Sequence, residues 1–260
     1  MSVGFLTSQL TRARRWLYFT WFNFAVLYRK TFLGPLWIIV GPSLFIVTLG
    51  LLFSQVNNTA PSLFIPHLAI GLVTWTLISG FVINSSTVFQ RNKAQIMQGN
   101  MSLVDITMIE VLSTILQFVH QLIIIIVVFA VLGLIPSLYS LVSLLGLALL
   151  ILNGVWLTVF FGIIGARYRD LPEIIIAIMR IAFLATPIIW MPGASGRGEV
   201  VGAFLNFNPF HHFLELIRAP LLGQSISMLS VLVVLTITLL GSALAYRFYK
   251  KFAKLIPLWV

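Results

Sequence analysis

Long apolar runs separated by short polar intervals constrain the fold of this chain more than any other feature. The 260 residues are 60% hydrophobic and only 8% charged, so a single soluble core cannot hold their apolar surface. Six runs are each long enough to cross a bilayer as a helix. The sequence therefore predicts an all-α integral membrane protein with a single transmembrane domain over residues 1–260. The predicted spans cover about residues 34–54, 64–88, 111–132, 140–166, 171–191 and 226–246.

The basic residues indicate which ends of these spans face the cytoplasm. Of the 16 Lys and Arg residues, all but Arg180, Arg197 and Arg218 lie in the terminal segments or in the intervals after spans two and four. Because positive residues concentrate on the cytoplasmic side of membrane proteins, we predict that both termini are cytoplasmic. The net charge is +10, but these short segments form no continuous basic surface, so we expect membrane lipids and not nucleic acid as partners.

Three intervals outside the spans predict further helices. Residues 12–30 are basic and aromatic, with an apolar run too short to cross, which predicts an interfacial helix on the cytoplasmic face. Residues 90–110 are too polar to span, and Ser102 or Asn100 is expected to cap a short helix that leads into span three. In the external interval after span five, residues 210–222 predict a short amphipathic helix that dips into the outer leaflet without crossing it.

The cytoplasmic interval before span five predicts a helix start. Asp170 is followed three residues later by Glu173, and Pro172 lies in the expected first turn. This spacing is typical of a capping box, in which side chains bond the free N–H groups of a helix start. Within the same span, Pro187 predicts a bent or broken outer end.

The sequence carries no energy source for transport. It has no phosphate-binding loop of the G-x-x-x-x-G-K-[ST] type. Its six acidic residues are expected at span ends or in loops, not at the membrane depth where ion-coupled transporters place them. They are Asp105, Glu110, Asp170, Glu173, Glu199 and Glu215. Energy would come from a partner, or the protein is passive or a scaffold.

An intramembrane enzyme acting on lipid-linked sugars is the main alternative from another class. His67 and His120 are each isolated within a span, and the adjacent His211 and His212 cannot face one metal ion from consecutive helical positions. The chain has no cysteine, which excludes thiolate metal sites and thiol catalysis. We therefore expect no metal, no cofactor and no catalytic residue in this chain.

Arg180 and the tryptophans within the spans are the candidate channel residues. Arg180 would face a polar pathway and attract an anionic lipid-linked phosphate, or it would extend toward the inner headgroups, and the sequence favours neither. Aromatic faces suit sugar rings, although packing between helices is the commoner role for any one of them. The candidates are Trp37, Trp75, Trp156, Arg180 and Trp190.

Five short motifs, in order along nearly the whole chain, resemble permease subunits of type 2 ABC exporters. They are Tyr28-Arg29-Lys30 with Leu33-Gly34-x-x-Trp37 and Pro42, then Arg169-Asp170, then Thr186-Pro187-Ile188, then Asn208-Pro209, and finally Glu215-x-x-Arg218. In its length and its lack of a large external domain, the chain is similar to the branch that exports lipid-linked polysaccharides such as O-antigen, capsule or teichoic acid.

The resemblance implies a larger assembly. It implies a homodimer of permeases in the bacterial inner (plasma) membrane, with a channel between the two copies of spans one and five. Two copies of a separate ATPase subunit would bind ATP and Mg²⁺ on the cytoplasmic side, and an undecaprenyl-diphosphate-linked glycan would be the substrate. An exporter of a small hydrophobic drug or lipid would share every motif and stays open as an alternative.

The resemblance also assigns roles to residues on both sides of the membrane. The ATPase would dock on the interfacial helix, the interval after span two and the turn before span five. The residues expected there are Arg15, Arg29, Lys30, Arg91, Lys93, Arg167, Arg169 and Asp170. The external interval would form re-entrant helices that act as a periplasmic gate, with Asn208, Pro209, Phe210, Glu215 and Arg218.

Overall fold

The computed structural model describes residues 3–56, 60–192 and 198–260, and all regular structure in them is helical. Residues 57–59 and 193–197, which include Arg197 of the external interval, lie outside this description. The described α-helices are α1 Val3–Tyr28, α2 Trp37–Val56, α3 Pro61–Ser85, α4 Val88–Arg91, α5 Lys93–Met97, α6 Leu103–Leu132, α7 Ser143–Arg167, α8 Leu171–Ala185, α9 Gly198–Phe207, α10 Pro209–Leu221, α11 Met228–Phe252 and α12 Ile256–Trp259.

Helix α3 lies at the centre of the bundle and contacts α2, α6, α7, α8 and α10. Its buried side chains include the large residues Phe64, Leu77 and Phe81. In its most apolar stretch 72% of the residues are buried, against 11% for the stretch that contains α2. A helix that is apolar and buried all round is typical of a bundle core, so α3 fixes the positions of its neighbours.

Glycines let the helices around α7 approach closely. A Cβ atom at Gly165 would overlap the backbone carbonyl of Ser86 at the end of α3. On α11, a Cβ atom at Gly241 would overlap the ring of Trp156. Small residues at helix interfaces are the usual means of packing helices in a membrane, where apolar side chains gain little by leaving lipid.

Among the described residues, five helical stretches are long and apolar enough to cross a membrane, whereas the sequence predicted six spans. They are Gly34–Gln55, Pro61–Ser85, Leu103–Leu132, Leu138–Arg167 and Met228–Trp259. They are consistent with the predicted all-α, multi-pass membrane protein. Their limits differ most from those of the predicted spans at the start of the third span, in the fifth, and at the end of the last, where α11 continues to Phe252.

In the predicted fifth span, residues 171–191, α8 ends at Ala185 after 15 residues, at the outer end that Pro187 was predicted to bend or break. Thr186 is extended, with φ −94° and ψ 137°, since the ring of a following proline disfavours the helical conformation. At 1.5 Å per residue α8 is about 22 Å long, shorter than the roughly 30 Å hydrocarbon layer. The capping box predicted from Asp170 and Glu173 was wrong. Asp170 is the N-cap residue of α8, but its side chain makes no capping hydrogen bond.

Two helices extend further toward the N-terminus than the predicted interfacial helix and third span. α6 runs unbroken from Leu103 to Leu132, so the predicted short helix and the third span are one helix that contains Asp105 and Glu110. Its N-cap is Ser102, as predicted, which forms a complete capping box with Asp105. α1 begins at Val3 and not at residue 12, because no proline interrupts the helix upstream. It is not among the five stretches that could cross a membrane.

Candidate functional site

A cluster of buried polar side chains joins α10 to α3 and to the segment that follows α8. Arg218 of α10 has 7% of its surface exposed. Its Nη1 donates to the backbone carbonyl of Pro187 over 2.6 Å and to Nε2 of His67 over 3.1 Å. Because a guanidinium only donates, Nε2 of His67 accepts and the imidazole is neutral. Burial lowers the pKa of Arg218 to about 10, so the side chain stays a cation at neutral pH.

Asn208 caps α10 and fastens it to the same segment. Its Oδ1 accepts hydrogen bonds from the backbone N–H groups of Phe210 and His211, which satisfies two donors that a helix start leaves free. Its Nδ2 donates to Oγ1 of Thr186 over 3.1 Å. Pro209 occupies the first turn, where its missing N–H is tolerated. One side chain therefore starts α10 and also sets its position relative to the end of α8.

Glu215 links α10 to α11. Its Oε1 accepts from the backbone N–H of Ser227 over 3.2 Å, and its Oε2 accepts from the hydroxyl of Ser230. That hydroxyl also lies 2.8 Å from Nδ1 of His212, whose Nε2 is 3.0 Å from the backbone oxygen of Asn206. Through these bonds α10 is attached to the start of α11 as well as to α3 and the end of α8.

The predicted gate residues therefore lie together in space. Asn208, Glu215 and Arg218 supply the polar contacts, and Phe210 packs against Trp75 with ring centroids 5.4 Å apart. Sequence reasoning missed His67 as a member, because it lies 151 positions from Arg218 and no local pattern links the two. The cluster attaches α10 to α3, α11 and the end of α8, and its action as a gate stays a prediction.

A second cluster joins α1 to the start of α6. Oδ1 of Asp105 accepts from Nε of Arg12 over 2.9 Å and from Nε1 of Trp16 over 2.7 Å, and its Oδ2 accepts from the Ser102 hydroxyl over 2.6 Å. The hydrogen bond to Asp105 raises the pKa of Arg12. A cavity of about 560 Å³ lies beside the cluster. Sequence reasoning missed this site, although the spacing of Ser102 and Asp105 was a capping-box signal.

The comparison with protein families decides the class of this protein. Residues 14–222 match the ABC-2 type transporter family, which is most of the chain. The chain belongs to the ABC-2 type transporter family. A comparison with curated proteins gave no match. As a member, the chain is the membrane-spanning permease subunit of an ABC exporter and pairs with an ATP-binding subunit.

All eight predicted docking residues of this ABC-2 type permease are exposed. Two of them have side chains held by further contacts. Arg91 pairs with Glu110 over 3.0 Å, and the guanidinium carbon of Arg167 lies 5.2 Å from the ring centroid of Trp259. Exposure leaves the eight residues accessible to an ATP-binding subunit, and docking at these positions stays a prediction.

Two of the predicted channel residues lie inside the permease. The ring of Trp75 is buried against Phe183 and Phe210, with centroids 5.7 and 5.4 Å away. Trp156 is half-buried and donates to Oδ1 of Asn153 over 2.7 Å. The Trp75 contacts join α3 to α8 and α10, and the ring of Trp156 packs against Gly241 of α11, so both rings lie between packed helices.

The remaining channel candidates of the permease lie nearer its surface. Trp37 at the start of α2 and Arg180 on α8 are exposed. Trp190 is half-buried and donates to the backbone carbonyl of Leu184 over 3.1 Å. The structure thus does not bring the five candidates to one surface, and a channel role for Trp37 and Arg180 stays a prediction.

The histidines of the permease make structural contacts. Nδ1 of His120 lies 2.7 Å from the backbone oxygen of Leu116, and His67 and His212 are engaged in the cluster around α10. Within the described part of the chain, no three His, Asp or Glu side chains are placed to hold a metal ion.

Proposed function

We propose that this chain is the channel-forming subunit of an ATP-driven exporter that moves a lipid-linked polysaccharide, of the O-antigen, capsule or teichoic-acid type, across the bacterial inner membrane. Two copies form the channel in this proposal. Two copies of a separate ATPase subunit bind ATP and Mg²⁺ and dock on the eight exposed residues named above. The substrate is an undecaprenyl-diphosphate-linked glycan.

The exposure of Arg180 is the observation that carries this proposal. α8 buries only Ile175 and Met179, while Ile178 and Ile181 are exposed beside Arg180. Among the described residues no acidic side chain forms a salt bridge with Arg180. A cation on an apolar helix face is costly in lipid, so this face is expected to border water or an anion. The diphosphate of a lipid-linked glycan is such an anion.

A second copy of the chain supplies the other wall of the channel. Besides α8, helix α2 leaves much of its surface uncovered within one chain, including Trp37, Leu44 and Leu51. In the proposed homodimer these faces of α2 and α8 meet around the channel. Trp37 and Arg180 then lie on the surfaces that the substrate passes.

In this proposal α8 and residues 186–192 together form one further crossing, the fifth in chain order, which brings the total to six. α9 and α10 form the re-entrant helices that follow. Both termini are cytoplasmic only if the number of crossings is even. The concentration of Lys and Arg in the terminal segments and in the intervals after α3 and α7 supports that arrangement. The whole chain then works as one transmembrane domain.

A different observation favours a small hydrophobic compound or a lipid as the substrate. A cavity of about 250 Å³ lies between α3, α7, α8 and α10 and is lined mainly by apolar side chains. Its wall includes Phe210 and Trp156. An apolar cavity of this kind suits a compact hydrophobic molecule, and it is formed by helices of a single copy.

The test is disruption of the gene in its native host, followed by complementation. We expect disruption to remove polysaccharide from the cell surface while lipid-linked glycan accumulates on the cytoplasmic side. Arg180→Lys restores export, whereas Arg180→Ala restores it about tenfold less well, the effect of losing one charge-assisted contact. Ile181→Ala, an exposed neighbour, is the control at matched protein level.

Normal surface polysaccharide in the disrupted strain would contradict the polysaccharide proposal. Increased sensitivity of that strain to hydrophobic compounds would then support the alternative substrate. Full export by Arg180→Ala would leave the exporter class intact but remove Arg180 from the pathway.

A further inference from the structure

α12 closes an apolar cluster at the end of the bundle that carries predicted ATPase-docking residues. Ile256 of α12 is fully buried. It packs with side chains from α4, α5, α6 and α7, which are Val88, Phe89, Ile96, Ile106, Ile163 and Ala166. This cluster is separate from the main core around α3. α12 therefore contributes to a local core beneath the segments that bear Arg91, Lys93 and Arg167.

Trp259 connects α12 to the turn before α8. The guanidinium carbon of Arg167 lies 5.2 Å from the centroid of the Trp259 ring, a distance at which a cation is attracted to an aromatic face. Trp259 packs on Phe252 with centroids 5.8 Å apart, and Phe252 packs on Phe248 at 5.5 Å. A row of rings thus anchors a predicted docking cation to the end of α11.

The interval between α3 and α6 is held at the same place. Nε2 of Gln90 donates to the backbone carbonyl of Gly165 over 2.6 Å. A Cβ atom at Gly162 would lie 2.9 Å from the side chains of Val88 and Phe89, so α4 packs directly on α7. α12 contacts both α5 and α7. The interval after α3 and the turn after α7 therefore meet under α12.

We propose that α12 is a positioning element for ATPase docking. It holds residues 91–93 and the turn 167–170 in one fixed arrangement, so that both segments reach the ATPase subunit together. Ile256 and Trp259 make the responsible contacts, and neither has to touch the ATPase. Two segments that are already ordered lose less conformational entropy on binding than two independent ones. This inference rests on the docking surface of the proposed function.

Two spin labels measure the arrangement directly, because the chain has no cysteine of its own. Lys93→Cys and Arg169→Cys introduce labelling sites at exposed positions, and pulsed electron paramagnetic resonance in nanodiscs records the distance between them. We expect a narrow distance distribution with native α12 and with Leu258→Ala, whose side chain is 79% exposed on the same helix. Trp259→Ala and Ile256→Ala broaden it, and Trp259→Phe, which keeps an aromatic face, broadens it less.

Titration with the separately purified ATP-binding subunit of the same exporter separates failure of this inference from failure of the proposed function. In the unlabelled chain we expect Trp259→Ala to weaken binding roughly tenfold and Leu258→Ala to leave it unchanged. Since Trp259 is only half-buried, its variants are expected to fold. An unchanged distance distribution or an unchanged affinity in Trp259→Ala overturns the inference alone. If the wild-type chain binds no ATPase, the proposed docking surface fails and the inference falls with it.

Discussion

Arg218 is a buried cation with no salt-bridge partner among the described residues. A backbone carbonyl and a neutral imidazole accept its hydrogen bonds, and Glu215 on the same helix adds an attraction over a longer distance. Burying a charge is costly unless its polar groups are satisfied. The position of α10 therefore depends on a few hydrogen bonds made by one side chain.

Replacing Arg218 with Met removes the donor to Pro187 and the cation together. We expect Arg218→Met to lower the free energy of unfolding by about 1–3 kcal/mol, the cost of leaving a buried polar group unsatisfied. Arg218→Lys keeps the charge and a donor, so its loss is expected to be smaller. Denaturant titration in detergent measures both variants against Arg247→Met, at an exposed position of α11. Equal stability of the two Met variants would contradict this account.

At the scale of helices, local signals predicted several ends correctly. Ser102 begins α6, Asn208 begins α10, and α8 ends just before Pro187. α6 continues unbroken from Leu103 into the third span, whereas the sequence predicted a separate short helix there because of two acidic residues, Asp105 and Glu110. Their partners, Arg12 and Arg91, come from other helices, and pairing between distant helices leaves no local pattern.

The same limit applies to the site around α10. Motifs predicted that Asn208 and Arg218 belong to one external element, and the structure places both in one cluster. They did not predict His67 as the acceptor for Arg218, nor that Trp75 is enclosed within the chain. Both facts depend on how the helices are arranged in the bundle. The sequence alone did not indicate that α3 is the central helix.

The close approach of α7 to the end of α3 gives a test of this packing. A Cβ atom at Gly165 would overlap a backbone carbonyl, which cannot move aside as a flexible side chain can. We expect Gly165→Ala to lower the free energy of unfolding by about 1–3 kcal/mol or more. Gly41→Ala is the matched control in α2, because a Cβ atom there meets nothing within 4 Å. Equal unfolding midpoints of the two variants in detergent would show that α7 lies further from α3.

At the scale of the whole molecule, the proposed homodimer predicts which exposed face is covered by a second copy. We expect Leu44→Cys, on the exposed face of α2, to form a covalent dimer when native membranes are oxidised. Leu239→Cys is the control on α11, with 70% of its surface exposed against 64% for Leu44. Disulfides require Cβ atoms about 4 Å apart, so only a face at the dimer axis reacts efficiently. Equal cross-linking of both variants on a denaturing gel would contradict the arrangement.

The shortness of α8 affects how far a sugar chain travels without water in the proposed exporter. α8 covers about 22 Å of a hydrocarbon layer of roughly 30 Å. Beyond its end, residues 189–192 are non-helical and at least partly exposed, so their backbone polar groups can hydrogen-bond to water in a hydrated cavity. The free-energy cost of dehydrating hydroxyl groups grows with the number of groups that are dehydrated at the same time. A glycan would therefore begin to rehydrate before it leaves the protein, which reduces the work that each ATP has to supply.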